Sequence, residues 1–434
     1  MPFIPYLFLS AALGWTGPLV ASEPVEERIV TWVEEHNDQA LALVERTVNI
    51  NSGTLNFEGV RRVGDILAEE LEALGFETEW IDGTDFGRAG HLVARRSGEP
   101  GGLQTLLIGH LDTVFEPDSP FQRYRRLDED RARGPGVTDM KGGNVVMLHA
   151  LRALQAVEAL DELNVTVVLT GDEERSGRPL DSARAVLVDA ARQADVAIGF
   201  EDGDGNPQTA VIARRGSGSW RLEVNGKPAH SSQIFQPEIG AGAIYEASRV
   251  LTAFREGLSD EKDLTFNPGV ILGGTDVDFD GAEAKGSAFG KNNVIAEHAL
   301  VLGDLRAVSP EQYDRATAKM RAIVMDHLPH TEAKITFSPS YPPMGATPAN
   351  RELLALYDEV SRDLGFGPVE AVNPRNAGAA DVSFAAGHVA MALDGIGLMG
   401  TGGHTVDETA DLTTLPMQTQ RAAVLLLRLA RQQR

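Results

Sequence analysis

Histidine and carboxylate side chains follow apolar runs in this chain, and such side chains can bind metal ions and transfer protons. His110 and Asp112 come just after the apolar run 106–108. If the extended backbone continues through both residues, their side chains leave the same face, because a strand alternates sides at every residue. This pair alone is as typical of a structural histidine as of a functional one, so its meaning depends on the rest of the chain.

Further acids and a second histidine occupy comparable positions. They are Asp139 in the glycine-rich loop 134–143, Glu173 and Glu174 after the run 165–169, Glu201 after the run 196–200, and His404 in a glycine-rich loop near the end. The ends of parallel strands meet at one sheet edge, so we expect these groups to lie together. Two histidines with carboxylates suit divalent ions, zinc above all. Asp202, which follows Glu201, stays open as an alternative ligand.

Composition limits the classes of partner. The chain has 434 residues, 63 acidic and 39 basic, with a formal charge of −24. Such a surface repels phosphate backbones, so we expect no nucleic-acid partner. Cysteine is absent, which excludes disulfides and thiolate zinc sites.

Residues 1–22 have the features of an export signal. An apolar core is followed by small residues before a charged stretch that begins at Glu23, and this predicts export to the periplasm or the medium. The segment contains no Lys or Arg, so a buried mature N-terminus is the alternative. No later segment is long and apolar enough to predict a membrane span.

Strand and helix patterns alternate between residues 106 and 200, which predicts an α/β fold with a mostly parallel sheet. The pattern then changes to alternating strands and two helices, one starting near Ile239 and one capped by Ser309. These features predict a small inserted α+β sandwich. The expected division is a signal at 1–22, a catalytic domain at 23–213 and 339–434, and an inserted domain at 214–338.

At these residues the chain resembles the M20 family of dizinc peptidases, and within it the glutamate carboxypeptidase-like branch. The matching stretches cover roughly residues 41–434 in family order. They are GHLDTV at 109–114, GPGVTDMKGG at 134–143, GDEE at 171–174, FE at 200–201, GKPAHS at 226–231, NNVI at 292–295, DLR at 304–306 and GGH at 402–404. The resemblance implies a zinc-exopeptidase catalytic domain with the inserted domain as a dimerisation lid.

The resemblance also implies the ligands of two zinc ions. Asp139 would bridge the two ions. His110 and Glu201 would complete one site, and Glu174 and His404 the other. Cobalt or manganese can replace zinc in such a set.

Catalytic roles follow from the same resemblance. Glu173 would be the general base that takes a proton from the metal-bridging water, and Asp112 would orient His110. A non-proline cis peptide is implied between Asp139 and Met140.

The inserted domain would supply further residues through a homodimer. His230 would reach the partner subunit's site and stabilise the oxyanion, assisted by Asn293. Arg306 would bind a substrate carboxylate, which its planar guanidinium suits. The alternatives are a turn residue for His230 and an exposed strand arginine for Arg306.

The predicted function is therefore a zinc-dependent hydrolase that cleaves a C-terminal peptide or N-acyl amide bond and releases an amino acid. An aminoacylase or N-acyl amino acid deacylase with the same site is the alternative within enzymes. A non-catalytic amino acid or peptide-binding protein is a third candidate, but the retained Glu173 argues against it.

Overall fold

The computed structural model describes residues 24–281 and 284–432. The helices are α1 (Val25–Val48), α2 (Phe57–Glu72), α3 (Gly142–Ala156), α4 (Leu180–Ala191), α5 (Ala243–Leu258), α6 (Pro310–Met325), α7 (Pro348–Asp363), α8 (Val382–Ala386) and α9 (Thr414–Gln432). The strands are β1 (Glu77–Asp82), β2 (Gly90–Arg96), β3 (Gln104–His110), β4 (Arg125–Arg126), β5 (Arg131–Arg133), β6 (Asn164–Thr170), β7 (Val196–Gly199), β8 (Thr209–Ala210), β9 (Gly216–Gly226), β10 (Thr265–Gly274), β11 (Asp276–Asp280), β12 (Lys285–Phe289), β13 (His298–Ala307), β14 (Thr331–Pro339), β15 (Glu370–Ala371), β16 (Met391–Leu393), β17 (Gly400–Thr401) and β18 (Thr409–Asp411).

A six-stranded sheet forms the centre of the larger domain, in the order β1-β2-β6-β3-β7-β16. Strands β6, β3, β7 and β16 run parallel, while β1 and β2 add an antiparallel edge. The predicted α/β class with a mostly parallel sheet is confirmed.

Both faces of this sheet are covered, which explains the unbroken apolar run that leads to His110. Leu107 packs into a core with α1, α3 and α9, whereas Leu106 and Ile108 pack into a second core with α4 and α8. Neighbouring residues of a strand point to opposite faces, so a strand buried on both sides must be apolar at every position.

The second sheet has four antiparallel strands in the order β10-β13-β9-β14. Helices α5 and α6 cover one face, and buried Trp220, Leu222 and Val224 alternate along β9 with more exposed residues. One covered face produces this alternation. An additional hairpin, β11–β12, extends from the same region.

Helix α5 begins at Ala243 rather than at the predicted Ile239. The preceding residue, Gly242, has a φ of +79°, and a Cβ built there would lie 2.4 Å from Ile295 Cγ2. Only glycine accepts that combination, so the helix starts after it.

The signal predicted at residues 1–22 lies outside the described residues, and export stays a prediction. Within the described ranges, no helix has both the length and the apolar character needed to cross a bilayer.

Candidate metal centre

The parallel strands deliver the predicted residues to one edge of the sheet. β3 ends at His110, β6 is followed by the loop with Glu173 and Glu174, and β7 is followed by Glu201. Asn144, near the start of α3, donates from Nδ2 to the His110 carbonyl oxygen at 2.6 Å and fixes that strand end.

Asp139 reaches this edge from an irregular turn between β5 and α3. The cis peptide expected between Asp139 and Met140 is present. Buried Glu408 holds the turn: its carboxylate accepts hydrogen bonds from the backbone N of Gly136 at 2.8 Å, Thr138 at 2.9 Å and Asp139 at 3.2 Å.

The two oxygens of Asp139 face two different histidines. Oδ1 lies 3.0 Å from His110 Nε2, which is also 3.6 Å from Glu201 Oε1. Oδ2 lies 2.9 Å from His404 Nε2, which is also 3.2 Å from Glu174 Oε2. Each trio has ligand atoms within 4.8 Å of one another. The geometry thus forms two adjacent donor sets that share one carboxylate.

The donor sets fit divalent cations electrostatically. Burial, together with the charge of Asp139, raises the pKa of Glu174 to about 7. Hydrogen bonds to Asp139 and Glu174 raise the pKa of His404 to about 11. Glu174 Oε1 is buried and has no hydrogen-bond partner among the described residues. Crowded carboxylates with an unmatched acceptor are stabilised by a cation, and oxygen with imidazole donors suits zinc.

Asp112 supports both the strand end and the acidic loop. Its carboxylate accepts hydrogen bonds from the backbone N of Glu173 at 3.0 Å, the backbone N of Glu174 at 3.2 Å and Thr54 Oγ1 at 2.6 Å. His110 Nδ1 lies 3.0 Å from the Asp112 carbonyl oxygen and 3.4 Å from Oδ1. The Asp112 carboxylate therefore lies closer to the backbone of the loop that carries Glu173 than to the His110 ring, and it fixes that loop.

Residues 106–428 match the model of peptidase family M20/M25/M40. The chain belongs to peptidase family M20. The matched span contains every residue of the two donor sets, and the protein is an M20-family, carboxypeptidase-like hydrolase.

Two relatives of this M20 protein have similar lengths to it. The chain is 28% identical over 391 residues to carboxypeptidase G2 of Pseudomonas sp. strain RS-16, covering 88% of each. It is 29% identical over 363 residues to a succinyl-diaminopimelate desuccinylase of Acidiphilium cryptum, covering 81% of this chain and 88% of that one.

Solved structures share the fold. The aminopeptidase PepT of Bacillus cereus superposes with a TM-score of 0.70 at 17% identity, covering 91% of this chain and 99% of that one. The YXEP protein of Bacillus subtilis, described as a dinuclear metal-binding peptidase of the M20 family, gives a TM-score of 0.62 at 14% identity, covering 92% and 99%.

In the M20 protein, Glu201 and not Asp202 belongs to a donor set among the described residues. Burial and the charge of Asp139 raise the pKa of Asp202 to about 7, while a hydrogen bond with Thr138 acts in the opposite direction. Asp202 therefore lies next to the centre but interacts with the Asp139 turn.

His230, Asn293 and Arg306 lie apart from the donor sets. Across the described part of the chain, no hydrogen bond or ion pair links them to either set. His230 and Asn293 are neighbours, because Ser231 N donates to the Asn293 carbonyl oxygen at 2.9 Å. From the sequence we expect a strand at residues 293–306, but the strand begins only at His298, since the segment around Asn293 pairs with the His230 segment instead.

Several supporting residues were not predicted from the sequence. Glu408 fixes the Asp139 turn. Buried Arg214 binds Asp394 at 2.8 Å, and Asp394 Oδ1 accepts from the Glu201 backbone N at 3.2 Å. Tyr341 donates to the Glu173 carbonyl oxygen. Each is a single residue far along the chain from its partner, so no spacing pattern marks it.

Proposed function

We propose that this M20 protein is a zinc-dependent hydrolase that cleaves a C-terminal peptide or N-acyl amide bond and releases an amino acid. The observation that carries the proposal is Asp139, whose two oxygens each face one donor set. His110 and Glu201 would complete one ion's ligands, and Glu174 and His404 the other's. Cobalt or manganese are alternatives to zinc.

The chemistry is divided between ions and protein. Two ions held by these residues would polarise the scissile carbonyl and lower the pKa of a water molecule. Glu173 takes the proton from the attacking water and passes it to the leaving nitrogen. Burial, together with the Asp381 charge and against the effect of His110, raises the pKa of Glu173 well above its ordinary value. A raised pKa suits a group that must both accept and return a proton.

A group of three arginines, Arg215, Arg306 and Arg375, favours the proposal that the substrate carries a carboxylate. Arg215 Nη1 donates to Thr265 Oγ1 at 2.9 Å, and Thr265 pairs with Arg306 across the second sheet. Burial, together with the charges of Arg306 and Arg375, lowers the pKa of Arg215. Arg215 Nε is buried without a hydrogen-bond partner among the described residues. Asp263 and Asp304 offset part of the charge. In a chain of net charge −24, this group is a local site for an anion.

The arginine group is connected to the metal centre only indirectly, through the chain segment that enters β9. Arg306 pairs with Ser217 across the second sheet, close to Arg214, which reaches Glu201 through Asp394. Arg306 is therefore proposed to hold the carboxylate of the released residue.

Replacing Arg306 with Met is expected to raise KM about 10- to 100-fold with little change in kcat, because a charge-assisted hydrogen bond contributes about 1.5–3 kcal/mol to binding. Steady-state kinetics on an N-acyl amino acid measure this. Arg221→Met is the matched control, because both arginine side chains are 40% exposed and each binds an acid two residues away. Arg306 Nε lies 3.2 Å from Asp304 Oδ2, and Arg221 Nε lies 3.1 Å from Glu223 Oε1. Equal KM values for the two variants would exclude the role of Arg306.

A homodimer through the inserted domain is part of the proposal. Strand β10 is an edge of its sheet, and Ile271, Ile244, Tyr245 and Phe289 in this region are 46–62% exposed. An exposed apolar edge strand favours pairing with another chain. Such pairing would let exposed His230, with Asn293, act in the partner's site.

Ile271→Lys is expected to convert dimers to monomers and to reduce kcat at least tenfold, since a charge on the edge strand opposes pairing and removes His230 from the partner's site. Light scattering coupled to gel filtration, followed by kinetics, measures both effects. Leu127→Lys, which changes an exposed leucine of the catalytic domain, is the control. A fully active monomer would rule out catalysis shared between subunits.

A deacylase acting on short N-acyl groups is the second candidate, supported by the similarity to a succinyl-diaminopimelate desuccinylase. A substrate panel that varies the acyl group and the released residue separately distinguishes the two. Strong dependence on the acyl group supports a deacylase, and strong dependence on the released residue supports a carboxypeptidase.

Export to the periplasm or medium also belongs to the proposal. The mass of the mature protein recovered from that compartment tests it.

A further inference from the structure

Two chain segments connect the domains, one entering β9 and one leaving β14. They run side by side, and we call this pair of segments the hinge. Arg214 and Met344 exchange backbone hydrogen bonds of 3.0 Å in both directions, and Ser217 N donates to the Tyr341 carbonyl oxygen at 2.9 Å. The two segments are thus bonded to each other at both ends.

The hinge segments also approach each other closely. A Cβ built on Gly216 would lie 2.5 Å from Pro343 N and 2.8 Å from the Tyr341 carbonyl oxygen. Real Cβ atoms do not occupy such positions, so glycine is required for this contact. The Tyr341 backbone therefore packs tightly against the start of β9.

The side chain of Tyr341 connects this hinge to the loop that carries Glu173. Its hydroxyl donates to the Glu173 carbonyl oxygen at 2.8 Å and accepts from Arg184 Nη2 at 3.0 Å. Its ring packs against Phe384 with centroids 5.0 Å apart. Ser176 Oγ lies 3.3 Å from the same hydroxyl. Because the Glu173 carbonyl oxygen can only accept and is the nearer partner, the tyrosine proton is directed to it.

Arg184 is itself held rigidly. It is 2% exposed, with Nη1 2.5 Å from Asp172 Oδ1 and Nε 2.9 Å from Asp381 Oδ1. Burial, with the charges of Glu173 and Asp381, raises the pKa of Tyr341 well above its ordinary value. The hydroxyl therefore keeps its proton at neutral pH and remains a donor.

The backbone of Glu173 is consequently fixed on both sides. Asp112 accepts from its N–H at 3.0 Å, and Tyr341 donates to its carbonyl oxygen at 2.8 Å. We propose that Tyr341 is a positioning residue that sets the Glu173 side chain for proton transfer and links its position to the hinge between the domains. The catalytic part of this inference rests on the function proposed above for Glu173.

Tyr341→Phe removes only the hydroxyl. We expect kcat to fall about tenfold, which is about 1.4 kcal/mol of transition-state free energy, while KM and the metal content stay within twofold. The control is Tyr313→Phe, because the Tyr313 hydroxyl is also buried but has no hydrogen-bond partner among the described residues. An unchanged kcat in Tyr341→Phe, or an equal fall in both variants, overturns the proposal.

A double-mutant cycle separates positioning from a general loss of structure. In a Glu173→Ala background, measured at high enzyme concentration, Tyr341→Phe is expected to cause no further loss of kcat, because its effect acts through Glu173. The same tenfold loss in both backgrounds means that Tyr341 acts independently of Glu173, which contradicts the proposal.

Hydrogen–deuterium exchange gives a readout that needs no substrate. The amides of Glu173 and Glu174 are expected to exchange several-fold faster in Tyr341→Phe than in the unaltered protein or in Tyr313→Phe. If exchange is faster in Tyr341→Phe but the unaltered protein hydrolyses none of the proposed substrates, the proposed function is disproved while the positioning contact is supported. Unchanged exchange would disprove the positioning contact even if hydrolysis is found.

Discussion

Asp139→Ala is expected to reduce hydrolysis by at least about 10⁴-fold, the largest effect of any single substitution in the chain. Its carboxylate contributes one oxygen to each donor set, so its loss removes a ligand from both ions. The activation of the water molecule and the polarisation of the substrate carbonyl are then lost at the same time. Elemental analysis is expected to find two zinc ions per chain in the unaltered protein and fewer than one in the variant.

Removal of the ions by a chelator is expected to give the same loss, and zinc or cobalt should restore the activity of the unaltered chain but not of Asp139→Ala. Asp85→Ala, at an exposed aspartate, is the control and should retain both ions and full activity. Full activity in a preparation with well under one ion per chain would contradict the dinuclear proposal.

Glu173→Ala is expected to lower kcat by about 10³- to 10⁴-fold, as is typical for loss of general acid–base catalysis. Glu173 belongs to neither donor set, so the variant should still bind two ions. Its backbone bonds to Asp112 and Tyr341 do not involve the side chain, which predicts an unchanged fold. Initial rates, with metal content measured on the same sample, test this expectation.

Glu173→Gln keeps the size of the side chain but cannot accept the proton, and it should be as inactive as Glu173→Ala. Glu77→Ala, at an exposed strand position, is the control for a lost carboxylate. Full activity of Glu173→Ala on both peptides and N-acyl amino acids would mean that another group transfers the proton. If the unaltered protein binds such compounds without cleaving any of them, the alternative of a binding protein gains support.

Most of the catalytic fold could be predicted because its strands are buried on both faces. The runs that lead to His110 and Glu201 are apolar at every position, and the cores on the two sides of the sheet show why. The parallel arrangement then brings the strand ends to one edge. Local patterns were less informative at helix starts such as Ala243, where the conformation of Gly242 decides the boundary.

The supporting residues could not be predicted, because their partners are distant in sequence. Glu408 binds the Asp139 turn across 269 residues or more. Tyr341 reaches Glu173 across 168 residues. Their side-chain types are common in loops, and nothing in their spacing distinguishes them from solvated neighbours. Packing between chain segments alone gives them a function.

The sequence by itself determined the chemistry that is available: two histidines and a set of acids at strand ends, without cysteine, in the order of the M20 family. Residue type fixes which atoms can bind a cation, and the end of an apolar run marks where a buried strand ends. Only the tertiary structure decided that each oxygen of Asp139 faces a different histidine and that Asp112 binds the Glu173 loop. Those distances depend on how separate segments pack, and packing is a property of the whole chain that no local pattern contains.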